Sequence, residues 1–242
     1  MTVTASASRT ARERARAELT QEIKREARRQ LAAHGAQGLS LRAVARELGM
    51  VSSALYRYFP SRDELLTALI IDAYDALGEA AEAASAGRPA ADIRGRWAAI
   101  CHAVRDWALA HPHEYALIYG SPVPGYQAPQ ATIAPATRVA GVAGHLLADA
   151  WQRIRAAGGD IPDPAPPQRP LPPVLAEQAA VVAGAIAPGV PDVMIARLLI
   201  AWTQLFGMIS FELFGQLVGS LEPADAFFGY AVEQMADFIG LP

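Results

Sequence analysis

Residues 40–62 read SLRAVARELGMVSSALYRYFPSR. Ser40 carries a hydroxyl suited to capping the free amides of a helix over Leu41–Leu48. Leu41, Val44, Ala45 and Leu48 fall at i, i+3, i+4 and i+7 and form one apolar stripe, with Arg42, Arg46 and Glu47 on the wet side. Gly49 is placed to end that helix in the left-handed conformation, and about three residues separate it from the next helical pattern, the spacing of a helix-turn-helix. In the second helix Ala54, Leu55 and Tyr58 or Phe59 are available to pack inward. Ser52, Ser53, Tyr56 and Arg57 are then left mainly outward, donors suited to base edges and phosphates. Ser61, with Glu64 three residues later, has the spacing of a capping box, which sets Arg62 at the start of a third helix where it would grip a phosphate.

Charge is divided along the chain in the same sense. Residues 1–62 carry a net charge of +7 and residues 63–242 a net of −10, so a chain of formal charge −3 has a basic head. That asymmetry is the electrostatic footprint of a nucleic-acid reader joined to a second part with another task. A run of arginines taken alone reads as a solvated helix surface. Joined to the turn motif, it reads as a DNA face.

The residues Ile23, Ala27, Gly35, Ser40, Leu41, Val44, Ala45, Gly49, Leu55, Tyr56, Tyr58, Phe59, Ser61, Arg62, Glu64 and Leu65 follow a known apolar spacing and end in a Tyr-x-His/Tyr-Phe-x-Ser-Lys/Arg signature. On these residues the stretch 20–70 resembles the DNA-binding domain of the tetracycline-repressor (TetR) family of bacterial transcription regulators. The resemblance implies that Tyr56 and Tyr58 touch phosphates, that Arg62 does so from the next helix, and that Arg42 approaches the backbone from the first motif helix. Ser52, Ser53 and Arg57 are the candidates for reading the groove. One position departs from the pattern: Val51 stands where the family has a capping Ser or Thr, so the cap is expected to pass to Ser52 and the reading helix to start one residue later. For Phe59, packing beneath the motif is the better reading, and for Tyr58 packing and phosphate contact stand level.

Ahead of the motif, residues 9–34 read as one long helix with Leu19, Ile23, Ala27 and Leu31 on an inner face. Arg9, Arg12, Arg14 and Arg16 lie near its start. Two readings stay open for them, a basic arm along or in a minor groove and a solvated, frayed segment. Met1 to Ser8 are small and polar and are expected to be disordered. They contain no apolar core of a secretory signal, and with one reduced cysteine, Cys101, the expectation is a cytoplasmic protein.

With 242 residues and 52% hydrophobic content, the chain is long enough for a small reading domain, 1–66, and a larger domain with its own core, 67–242. The pattern is helical throughout, so the fold class is all-α, a three-helix helix-turn-helix domain plus a larger helical ligand-binding and dimerisation domain. Helices are expected over approximately 61–86, 90–111, 112–120, 131–157, 174–186, 192–219 and 223–240. Ser121–Pro129 and the Pro-rich stretch Gly158–Pro173 break the pattern, the second as a poorly ordered surface linker. Between Arg197 and Glu212 the run LLIAWTQLFGMISF holds fourteen uncharged residues, too short to span a bilayer. A helix apolar nearly all round needs cover on both sides, and the chain's own core supplies one. A second copy would supply the other, with Phe227, Phe228, Tyr230, Ala231, Met235 and Phe238 on the neighbouring helix, giving a homodimer through 192–240 and no membrane partner. The family resemblance implies the same pair of dimerising helices, which set two reading heads on a palindromic operator in double-stranded DNA.

HPHEYALIYGSPVPGY at 111–126 and AWTQLFGMISFELFGQL at 201–217 resemble one ligand-domain subgroup of these regulators, in keeping with a composition of 20 Arg against one Lys, Lys24. The resemblance implies a small-molecule effector that shifts the dimer to a spacing unable to fit the operator. Side chains of suitable kind for its pocket are Trp97, His102, Trp107, Tyr115, Tyr119, His145 and Trp151, each of which also reads as ordinary core. His102, Arg105 and Arg138 are the candidate polar handles. The acidic excess leans toward neutral or cationic effectors.

Enzyme readings find less. His111, His113 and Glu114 at a helix start do not converge three metal ligands, no other Cys/Asp/His grouping supports them, and no phosphate-cradling glycine motif or nucleophile elbow is present, so neither catalysis nor a cofactor is expected. The reading is a ligand-responsive DNA-binding regulator acting as a repressor. Its alternative is a helical small-molecule binding protein with a non-functional DNA head, which Val51 keeps open and intact Tyr56, Arg57, Tyr58 and Arg62 oppose.

Overall fold

The computed structural model describes the backbone of residues 3–162 and 170–242, and the side chains from residue 11 onward. Eleven α-helices and no strand occur among the described residues. Two compact units form: residues 1–73 with 113–132, and residues 74–112 with 133–242. The expected domain boundary after residue 66 falls inside an unbroken helix, α4 (Arg62–Ala86).

The first unit is built on α1 (Val3–His34), a helix of 32 residues. Its backbone is already helical over residues 3–8, where disorder was expected; the side chain of Arg9 lies outside the described residues. Ile23, Ala27 and Leu31 are buried along one face of α1 against Leu41, Val44 and Ala45 of α2 (Leu41–Glu47) and Leu55 of α3 (Ser52–Leu55). Burial of such an apolar set removes each side chain from water at about 1.5–3 kcal/mol and fixes the angle at which α3 is presented. A glutamine on α1 sets the start of α2: Gln30, buried, accepts from the Ser40 amide through Oε1 at 3.4 Å. Ser40 then caps α2 as its sequence implies, its Oγ accepting from the Ala43 amide. The same unit contains α6 (Pro112–Tyr119) from His113 onward.

The second unit holds α5 (Ile93–Ala110), α7 (Ile133–Ala136), α8 (Arg138–Ala156), α9 (Pro173–Ile186), α10 (Asp192–Leu213) and α11 (Asp225–Ile239). α10 packs against α9, α11 and α5, and α5 packs on α8 and α11. Two boundaries differ from expectation. The single helix expected over 131–157 divides at Thr137, because Pro135 lacks the amide that a continuous helix would bond back to residue 131. α10 stops at Leu213 and not at 219: Gly215 turns left-handed at φ 77°, the Gly215 amide donates to Glu212 O at 3.2 Å and the Gln216 amide to Phe211 O at 2.8 Å, a Schellman stop. The linker expected over Gly158–Pro173 lies in part, at 163–169, outside the described residues.

By length and composition α10 is apolar enough to cross a membrane, at mean hydropathy 1.6 over its best window, and half of that window is buried inside the fold. Two of its charged groups, Arg197 and Glu212, are tied down within the protein. Buried Arg197 donates from Nη1 to Pro162 O at 2.7 Å, and Glu212 is paired with Arg105 of α5. These are the bonds of a core helix, whose charges find partners in protein.

Candidate nucleic-acid interface

The turn between α2 and α3 is fixed by backbone geometry. Gly49 sits at φ 64°, a conformation that disfavours any side chain with a Cβ. The Gly49 amide donates to Arg46 O at 3.1 Å and the Met50 amide to Ala45 O at 2.8 Å, closing α2 with a Schellman pair. α3 then starts at Ser52. Val51 holds the N-cap position in extended backbone and offers no side-chain hydrogen bond, so the transfer of the cap to Ser52 does not occur; Ser52 is the first helical residue. After Leu55 the chain tightens, with the Tyr58 amide donating to Leu55 O at 2.8 Å, and Phe59 is buried beneath the motif. The turn chemistry thus leaves one side of α3 open.

Ser52, Ser53, Tyr56 and Arg57 are exposed on that side, as are Arg42 and Arg46 on α2. Tyr58 is half-buried, its ring beneath the Arg16 guanidinium with Cζ 5.2 Å from the centroid. Arg16 Nη2 also donates to Arg57 O at 3.3 Å, so α1 is tied to the chain just past the end of α3. Arg62 is half-buried at the start of α4 and turns inward: Nη2 donates to Ala36 O at 2.7 Å and Nε to Leu39 O at 3.1 Å. Its guanidinium therefore closes the 3-10 turn Ala36–Gly38 that leads into α2. Ser61 Oγ accepts from the Glu64 amide at 3.1 Å and caps α4.

The side chains named for a ligand do not form one cluster. Trp97 is core, its Nε1 donating to Val232 O of α11 at 3.1 Å. His102 meets Phe228 edge to face at 5.3 Å. Trp107 is buried and stacked on His111 at 5.1 Å. Tyr115 is fully buried beside Tyr119, ring centroids 5.2 Å apart, and both belong to the first unit. Trp151 is half-buried on α8, and exposed His145 borders an open groove of about 360 Å³ with Glu82, Ser85, Arg88 and Arg96.

The two arginines named as polar handles are held by carboxylates. Arg105, 6% exposed, donates from Nε and Nη2 to both oxygens of Glu212 at 2.7 and 2.6 Å and from Nη1 to Asp225 at 2.8 Å. It also lies 4.9 Å over the Phe228 ring. The Glu212 hydrogen bonds hold Arg105 above the ordinary arginine range against the opposing cost of burial. Arg138 pairs with Glu82 through Nε and Nη2 and with Asp75 through Nη1, which raises its pKa in the same way. Burial pushes the Cys101 thiol well above its usual range, which favours the protonated form.

The residues that sequence reasoning missed are those of long sequence separation. Arg28 binds Asp72 and Glu114, partners on helices that no periodicity links to α1. Arg105 had one signal available, a charge set directly beside the buried positions Trp97, Cys101, Val104 and Ala108 of α5.

A capped helix, a left-handed glycine turn and a second helix whose free side carries hydroxyls, a tyrosine and an arginine on a basic head define a helix-turn-helix DNA-binding regulator. The chain belongs to the tetR family of bacterial regulatory proteins. Residues 23–69 match the family description "Bacterial regulatory proteins, tetR family", and residues 97–235 match "Tetracyclin repressor-like, C-terminal domain". An HTH-type transcriptional regulator of Mycobacterium tuberculosis is 43% identical over 206 residues, 84% of this chain and 83% of that protein. The crystal structure of a regulatory protein, SCO4313, superposes with a TM-score of 0.72 at 34% identity, covering 92% of this chain and 97% of that one. A protein of unknown function from Rhodococcus sp. RHA1 does so at 0.65 and 25% identity, covering 92% and 95%. Regulators of this family are DNA-binding transcription factors and not enzymes, and they act as dimers.

Proposed function

We propose that this protein is a cytoplasmic repressor that binds a palindromic operator as a homodimer and is released by a small-molecule effector. The reading rests on one observation above the others: Ser52, Ser53, Tyr56 and Arg57 stand exposed together on the free side of α3, backed by Arg42 on α2. Ser52, Ser53 and Arg57 read base edges, and Arg42, Tyr56 and the Tyr58 hydroxyl supply phosphate contacts. Arg62 acts on DNA through the turn it closes, and an approach of its guanidinium to an operator phosphate would compete with Asp63, 3.4 Å from Nη1. Division of labour falls after residue 66, with 1–66 reading DNA and 67–242 binding effector and partner subunit.

Dimerisation runs through 192–240. Ile200, Phe211 and Phe214 are exposed on and just beyond α10, and Phe227 and Tyr230 on α11, large apolar side chains on two helices that pack together, as an interaction surface would present them. Of the side chains expected at an effector pocket, His145 is carried forward, since it borders the open groove of about 360 Å³ on the second unit, and HPHEYALIYGSPVPGY assigns the ligand domain to a subgroup defined by that segment. A binding protein with a non-functional head is the less supported reading, since the exposed donors on α3 are intact.

The test is selection of bound sequences from a randomised duplex pool, with Ser53→Ala/Arg57→Ala beside the wild type. Enrichment of one palindrome by the wild type alone is expected. No enrichment by the ligand-free wild type sinks the repressor reading.

A further inference from the structure

The side chains of Ala11 to Glu18 are all exposed, so α1 leaves the packed head near Leu19 and continues as a polar helix. Eight helical residues rise about 12 Å, the length of three to four base pairs of duplex. This extension is anchored at its root. Arg16 donates to Arg57 O and covers the Tyr58 ring, two residues of the segment that presents the reading helix. Thr20 Oγ1 donates to Arg16 O at 2.8 Å, one turn on. Residues four apart share a helix face, so Arg12 stands one turn beyond Arg16 on the face that meets Arg57 and Tyr58.

An exposed stretch of alanine, arginine and glutamate gains nothing from a core, and Arg12 and Arg16, four apart, repel. Those properties are unfavourable in water and favourable against a polyanion, whose phosphates neutralise the arginine pair. The direction of the helix also matters. A flexible tail would lose entropy on binding, whereas a continuous helix fixed at Arg16 delivers Arg12 to one place.

We propose that the N-terminal extension of α1 is a second DNA-binding element, in which Arg12 grips a phosphate of the duplex beside the bases read by α3. The inference rests on the DNA-reading role proposed for α3, and it lengthens the footprint of each half-site beyond the helix-turn-helix. Duplex DNA is the occupant because the extension is tied through Arg16 to Arg57 and Tyr58, next to the exposed side of α3, and carries Arg12, Arg14 and Arg16 against Glu13 and Glu18.

The experiment uses full-length protein and the duplex selected by the wild type, with affinity measured across a salt series and phosphate contacts mapped by hydroxyl-radical footprinting. Each phosphate contact contributes about 0.9 to the slope of log affinity against log salt, so Arg12→Gln in a dimer lowers the slope by about 2. Protection retracts at the flanking phosphates, Arg12→Lys restores the slope, and the thermal unfolding midpoint is unchanged in both variants. A wild type that selects a duplex while Arg12→Gln keeps its slope and its protected length overturns the role of the extension alone. A wild type that selects no duplex overturns the reading by α3 and this inference with it.

Discussion

Arg28 of α1 places its Nε 3.1 Å from Glu114 Oε1 of α6, while its Nη2 lies 2.7 Å from Asp72 of α4. One guanidinium thus joins three helices of the first unit, and Lys24 adds a second cation to Asp72 at 2.8 Å. The chain between α4 and α6 passes through another compact unit, yet α6 belongs with the reading head. The bond gives that membership a chemical cause. Anything that displaces α6 has to break a charge-assisted pair whose other end is on the helix that supports α3.

Glu114→Gln keeps the shape of the side chain and removes the charge. The Arg28 and Glu114 side chains are about a quarter exposed, so the loss is set at about 1–2 kcal/mol, between a surface pair and a buried one. Chemical denaturation of the variant checks this. A double-mutant cycle with Arg28→Met should return a coupling of similar size, and a coupling near zero would remove the pair from the account.

Arg105 is the larger case. It is buried, it satisfies both oxygens of Glu212 and one of Asp225, and these lie on or beside the two helices proposed to dimerise. Arg105→Met leaves the Glu212 carboxylate, 18% exposed, without its partner, which costs about 3–5 kcal/mol. Adding Glu212→Gln removes the orphaned charge and should recover part of the loss. Urea unfolding of the three variants tests the order, and a double variant less stable than Arg105→Met would contradict it.

Val51 is 70% exposed and sits at the N-cap of α3 in extended backbone with no hydrogen bond from its side chain. A serine there adopts the same backbone and can accept from the free amides of the first turn. Val51→Ser is therefore expected to stabilise the head by about 1 kcal/mol, since no packing is lost with the valine. The readout is the denaturation midpoint, and a neutral or destabilised variant would show that the tight turn leaves no room for the cap.

The all-helical class and most helix bounds were legible because helix periodicity and caps are local: Ser40, Gly49 and Ser61 each act within five residues. Stops set by one glycine, as at Gly215, or by one proline, as at Pro135, were overrun because the apolar pattern continues past them. The exposed side of α3 was legible as soon as Leu55 and Phe59 were assigned inward. Val51 kept the cap position because backbone geometry, and not the available hydroxyl, decides where a helix starts. What a side chain meets across the fold was not legible. Arg62 binds Ala36 and Leu39, Arg105 and Arg138 bind carboxylates, and Arg28 binds Glu114, contacts between residues 23 to 120 positions apart that no spacing rule reaches.

Glu82 carries the clearest pH signature. Its hydrogen bond from Arg138, with the attraction of that charge, holds its carboxyl below the usual range against the smaller opposing effect of desolvation. A carboxyl with a lowered folded pKa adds stability above its unfolded pKa and loses it as pH falls through the folded value. Stability should therefore fall as the pH drops below the ordinary glutamate range, and less steeply in Arg138→Met, where the Arg138 hydrogen bond that lowers the Glu82 pKa is gone. Carbon-detected titration of the Glu82 carboxyl checks the assignment; an identical titration in both proteins would refute it.

Phe211 is 57% exposed on α10 and Tyr230 67% exposed on α11, both in the segment proposed as the dimer interface. Neither contributes to the buried core of the subunit, whose α10 face is Met194, Leu198, Ala201, Leu205 and Ile209. A charge at Phe211 should therefore leave the subunit folded and act on association alone. Phe211→Asp is expected to give a monomer by sedimentation at concentrations where the wild type is a dimer, with an unchanged far-UV spectrum. Because two heads joined in one dimer bind two half-sites together, the monomer should also lose operator affinity by a factor of about 100 or more while keeping contact with a half-site. A variant that remains dimeric would move the interface away from α10, and the exposed aromatic surface would then need another partner.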